Sequence, residues 1–190
     1  MKIWRMVLCG PVAAMLCGVG SAQTSTGLDC SKAISTTAKM VCSDKGLAAL
    51  DGTMSDLYRA SGQSPEVIAQ QRRDLFRSDQ CSAASDARAC VESAYQRRII
   101  ALEIEQEKAG SAKSATLDCG AGKKALKALF YNGTKPASVM LTFGNDHAVA
   151  LVAMSGSGSR YIAPGIEYWE HQGEAAVTWR GAKMTCRVVR

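Results

Sequence analysis

Six of the eight cysteines, those beyond residue 22, set the first limit on how this chain folds. Cys30, Cys42, Cys81 and Cys90 all fall before residue 91, while Cys119 and Cys186 bracket the C-terminal segment. No Cys-x-x-Cys pair occurs and the only histidines are His147 and His171, so no structural metal site is expected. In an oxidising compartment an even set of cysteines pairs into disulfides. The short separations favour Cys30 with Cys42 and Cys81 with Cys90, and Cys119 with Cys186 would staple the two ends of the last segment.

Residues 1–22 point to that compartment. Lys2 and Arg5 precede an apolar run from Met6 to Cys17, and Gly20-Ser21-Ala22 closes it with small residues, the pattern of a cleavable signal peptide. Gly10, Pro11, Gly18 and Gly20 interrupt a run already short for a membrane span. Lipid attachment needs a small residue before the modified cysteine, whereas Cys9 follows Leu8 and Cys17 follows Leu16. A soluble exported protein, periplasmic or secreted, is expected, and membrane anchoring is not.

Beyond the leader the hydrophobic period changes once. Leu47, Leu50, Met54, Leu57 and Tyr58, then Val67, Ile68, Leu75 and Phe76, then Val91, Ala94, Tyr95, Ile99 and Leu102 recur at helical spacing and predict three helices within residues 23–108. Ser64 before Pro65 is a helix start, and Asp86 serves the last helix in the same way. Glu103, Glu105, Glu107 and Lys108 read as a solvated helix end. Residues 109–115 are small and polar and read as a linker. From 116 to 190, six short apolar or alternating segments, Leu126–Tyr131, Val139–Phe143, Ala148–Met154, Ile166–Trp169, Ala175–Trp179 and Met184–Val189, are separated by Gly- and Asn-bearing turns. The fold class expected is α+β in two modules: a disulfide-bonded helical domain, then a small antiparallel β-barrel whose closure removes exposed strand edges.

Charge excludes one function class. Without Lys2 and Arg5 the chain carries 21 basic and 17 acidic residues, net +4, too little to argue for a nucleic-acid partner. Catalysis finds no constellation either, because a triad would have to use His147 or His171, and Glu167 with Glu170 has no sugar cleft around it. No catalytic residue and no cofactor are expected. A homodimer is compatible with the sequence.

The specialised segment is Ser155-Gly-Ser-Gly-Ser-Arg-Tyr161, followed by Gly165-Ile-Glu-Tyr-Trp169 and Gln172-Gly-Glu-Ala175. Together with Cys119 and Cys186, these residues resemble the MliC/PliC-type inhibitors of c-type lysozyme over roughly residues 115–190. The resemblance implies an eight-stranded barrel whose loop serine plugs the lysozyme cleft. It carries that role to Ser157, within a contact set of Ser155, Ser157, Gly158, Ser159, Arg160 and Tyr161. The family's lysine, expected between Trp169 and Gly173, is replaced in Glu170-His171-Gln172, where either His171 or Gln172 takes its place.

Leu28-Asp-Cys30-Ser-Lys-Ala33, Val41-Cys42, Leu47-Ala-Ala-Leu50-Asp51, Met54, Tyr58, Cys81, Cys90 and Tyr95-Gln-Arg-Arg98 resemble the LprI-like helical domain of exported bacterial proteins over residues 28–105. The family's glutamate before the second cysteine is Ala38 here. The two resemblances together imply an inhibitor of c-type lysozyme from a host or competitor. The other function class weighed is a non-enzymatic envelope module that binds peptidoglycan or a small ligand.

Overall fold

Capping residues decide where the helices of the first module begin. The structure, a computed structural model, describes residues 27–120 and 124–189, so the leader with Cys9 and Cys17 lies outside the described residues. Four α-helices follow a 3-10 turn at Cys30–Lys32: α1 (Thr36–Ser43), α2 (Lys45–Ala60), α3 (Pro65–Asp79) and α4 (Ala87–Glu105). Ser35, Asp44, Ser64 and Asp86 each accept a hydrogen bond from a first-turn N–H, which satisfies donors that the helix itself cannot. The three periodic segments became α2, α3 and α4. Helix α1 is additional, and it escapes the periodicity because its buried residues are only Thr37 and Val41.

These helices close around Val41, Leu47, Met54, Cys81, Val91, Tyr95, Ile99 and Leu102. Asp51 is buried among them and accepts from the Leu28 N–H at 2.8 Å and the Tyr95 hydroxyl at 3.0 Å. Burial, and then the Asp51 charge, push the Tyr95 hydroxyl well above the ordinary tyrosine range. Two local disulfides, Cys30–Cys42 and Cys81–Cys90, tie the module's outer turns.

The second module is a closed barrel in which every strand pairs with its sequence neighbours: β1 (Lys113–Asp118), β2 (Leu126–Tyr131), β3 (Ser138–Phe143), β4 (Asp146–Ala153), β5 (Ser159–Ala163), β6 (Ile166–His171), β7 (Glu174–Trp179) and β8 (Ala182–Val189). Closure comes from β1 against β8, with Leu117 opposite Val188. Alternate residues fill the interior, among them Leu117, Leu126, Ala128, Val139, Leu141, Ala150, Tyr168 and Val177. Two strands go beyond the six read from the sequence. β1 occupies Lys113–Ala115 of the segment read as linker, and β5 begins inside the serine-glycine loop. Cys119 lies one residue past β1 rather than on it, and its disulfide to Cys186 on β8 fastens the closing pair of strands.

The modules pack on each other. Ile100 of α4 is buried against Val149 and Leu151, which face outward from β4, with Ala101, Ile104 and Met140 at the margin. This third, smaller cluster holds α4 across the barrel wall. Glu105 is correspondingly no free solvated end, because it pairs with the buried Arg98 across 3.6 Å.

Candidate functional site

The loop between β4 and β5 is short and internally held. Met154–Gly158 form it, since Ser159, Arg160 and Tyr161 already belong to β5. The Ser155 hydroxyl donates to the Ser157 carbonyl and accepts from the Ser157 N–H at 3.3 Å, a side-chain substitute for a backbone turn. From the neighbouring strand the Trp169 indole N–H donates to the same Ser157 carbonyl at 2.9 Å. The Ser157 carbonyl is thus fixed twice. Its hydroxyl makes no hydrogen bond among the described residues, and Ser155, Gly156, Ser157, Gly158 and Ser159 are all exposed.

Gly158 is where the loop folds back on the barrel. Its φ of +70° suits glycine, and a β-carbon there would stand 2.0 Å from the Glu170 carbonyl oxygen. No side chain fits that gap. Glu170 holds the adjacent turn as well, because its Oε1 accepts from the Gly173 N–H at 2.8 Å. Gln172 and Gly173, both at positive φ, make the two-residue β6–β7 hairpin and leave His171 and Gln172 exposed beside the loop.

Two residues of the sequence-read set do other work. Arg160 points outward from β5, with Nε 2.8 Å from Glu167 Oε1 and Nη1 3.5 Å from the Met154 carbonyl, so its cation braces the β5–β6 edge of the loop. Tyr161 is buried in the barrel, tilted against Phe130 and Tyr168 at centroid distances of 5.7 and 6.3 Å, and supports the loop from below. Burial raises its hydroxyl pKa. Trp169 and Glu170 are the structural partners that motif spacing did not assign. The cross-strand register Ser159 to Glu170 and Arg160 to Trp169, once β5 is seen as a strand, places both at the loop. Around the loop, Val152, Met154, Ile162 and Trp169 leave apolar surface exposed.

The disulfide-closed barrel thus offers one internally hydrogen-bonded polar hairpin beside a half-apolar rim. Residues 118–185 match the family of the membrane-bound lysozyme-inhibitor of c-type lysozyme, a stretch that contains the loop and strands β2 to β7. The chain as a whole belongs to the LprI family. It is 33% identical over 193 residues to Lipoprotein LprI of Mycobacterium bovis and to the proteins of the same name in two strains of Mycobacterium tuberculosis, with 97% of this chain and 98% of each relative covered. Family membership supports a role in lysozyme inhibition. Among the described residues no helix is long and apolar enough to cross a membrane, and no cluster of His, Cys, Asp or Glu could hold a metal ion.

Proposed function

We propose that this chain is an exported, non-enzymatic inhibitor of c-type lysozyme that inserts the β4–β5 loop into the enzyme's cleft. The observation that carries the reading is the Ser157 geometry: its carbonyl is held by Ser155 and Trp169 while its hydroxyl projects unengaged from an exposed tip. A lysozyme cleft presents two carboxyl groups kept in different protonation states, one raised by an apolar pocket and one ionised. A hydroxyl and loop amides can donate to them at little entropic cost when the loop is already in its bound shape. His171 or Gln172, on the adjoining hairpin, stands where a second polar contact is made. Export to the periplasm or beyond follows from residues 1–22. The mycobacterial relatives are named lipoproteins, and a lipid on this chain would have to use Cys17 after Leu16.

Measuring the inhibition constant against purified c-type lysozyme tests the reading directly. Ser157→Ala should weaken inhibition by about 1–3 kcal/mol, the scale of leaving a charged partner unsatisfied. Full inhibition by a folded Ser157→Ala protein would remove the hydroxyl from the mechanism.

A further inference from the structure

Met154 opens the β4–β5 loop, and it is 92% exposed, more than any other large apolar residue among those described. Single apolar side chains on a surface are ordinary, but this one has company. Val152, two residues back, exposes apolar surface, as does Trp169, whose indole reaches the Ser157 carbonyl. The backbone at this point is braced, because Arg160 Nη1 donates to the Met154 carbonyl at 3.5 Å while its Nε holds Glu167. Only the thioether side chain projects into solvent.

The other four described methionines are occupied. Met54 is buried in the helical core, where its sulfur accepts from the Gln71 amide at 3.6 Å, and Met40 packs against the same core. Met140 lies at the margin of the seam between the modules, and Met184 packs against the barrel interior. The six described cysteines are all in disulfides and offer no thiol. Oxidation of sulfur follows its accessibility, so a peroxide that reaches this protein meets Met154 first.

Position gives that oxidation a consequence. A loop that carries Ser157 into a cleft brings the residue at its own base against the cleft's edge. A flexible, polarisable thioether adapts to an irregular apolar wall. The sulfoxide is polar, and burying it there without a donor is unfavourable.

We propose that Met154 is an apolar contact of the loop with the enzyme and the site at which peroxides convert the inhibitor to a weaker form; the partner's identity rests on the lysozyme reading, whereas the oxidation chemistry does not. A sulfur lone pair attacks one peroxide oxygen, and the O–O bond breaks as the S–O bond forms. Sulfur is oxidised by two electrons to the sulfoxide, and the second oxygen leaves as water with the proton of the first. Sulfoxide reductases reverse the change, so the weaker form is recoverable.

Treating the full chain with hydrogen peroxide, removing the peroxide with catalase, locating the added oxygen by peptide mass and measuring the inhibition constant against purified c-type lysozyme before and after tests the proposal. Met154 should be oxidised ahead of Met40, Met54, Met140 and Met184, and the inhibition constant should rise about tenfold, the worth of one partly buried apolar side chain. A sulfoxide reductase should restore it. Met154→Gln, polar and without sulfur, should start at the weakened level, and Met154→Leu should give the same inhibition constant before and after treatment. Untreated protein that fails to inhibit would overturn the lysozyme reading and this assignment with it. Inhibition that survives complete oxidation of Met154, earlier oxidation of any of the other four, or loss of inhibition in treated Met154→Leu protein would overturn this assignment alone.

Discussion

The helical module and the barrel solve the same small-core problem by opposite means. The first relies on short-range devices: capped helices, disulfides that span 12 and 9 residues, and a buried aspartate shared between Leu28 and Tyr95. The second relies on a register that closes on itself and a disulfide that spans 67 residues. Cross-links restrict the unfolded chain more when they close longer loops, so the single barrel disulfide outweighs either helical one. The helices still share one core, whereas the barrel closes only with all eight strands in register.

The comparison breaks first at the disulfides. The Cys119→Ala/Cys186→Ala pair should lose about 4 kcal/mol, against about 3 for Cys81→Ala/Cys90→Ala, by loop-closure entropy. Denaturant unfolding of the two double variants measures both, and equal losses would erase the distinction between local and global fastening.

Next comes the seam between modules. Ile100→Ala opens a cavity under β4 and should cost about 3 kcal/mol, within the range for buried large-to-small changes. Because Ile100 serves both modules, its loss should also split one calorimetric transition into two. A single cooperative transition of undiminished midpoint would show that Ile100 is not what joins the halves.

A smaller effect sharpens the barrel's side. Gly158→Ala forces a β-carbon toward the Glu170 carbonyl at positive φ, so it should cost about 1–3 kcal/mol and displace the loop. Gly156→Ala, with open space around it, is the control and should leave inhibition nearly unchanged. Matching inhibition constants for the two variants would deny that loop shape matters.

The smallest effect is the Asp146–Arg180 pair on the barrel. The Arg180 hydrogen bond outweighs the cost of burial and, helped by the Arg180 charge, holds the Asp146 carboxyl below its ordinary value. A depressed carboxyl contributes stability above its unfolded pKa of about 4 and loses it as pH falls through the folded value. Both groups are over a third exposed, so Arg180→Gln should cost under about 1 kcal/mol at neutral pH. The gap from wild type should vanish in acid, as thermal melts at pH 7 and pH 3 would show.

Legibility followed the length of the apolar signal. Helices α2 to α4 and six strands announce themselves by period, and the turns by Gly and Asn. Helix α1 does not, since one valine and one threonine carry its buried side. Strand β5 does not, since Ser159 and Arg160 look like loop until Trp169 and Glu170 are seen across from them. Ser157 stood out by motif, yet the indole that holds it lies 12 residues on, a relation only register supplies. Arg98 and Glu105 were invisible as a pair because helical charges are read as solvated, whereas Arg98 turns inward to Gln71 and Val67 of α3.

The barrel's hydrogen-bonded ring has two narrow joins, β1 with β8 and β4 with β5, each of three residue pairs. A covalent bolt sits beside the first. Beside the second sits only the serine loop, so the ring's least-paired uncrosslinked join lies next to that loop. The amide proton of Ala153, opposite Arg160 at the end of this join, should exchange faster than those of β2 and β3, and engagement of the loop by a partner should slow it.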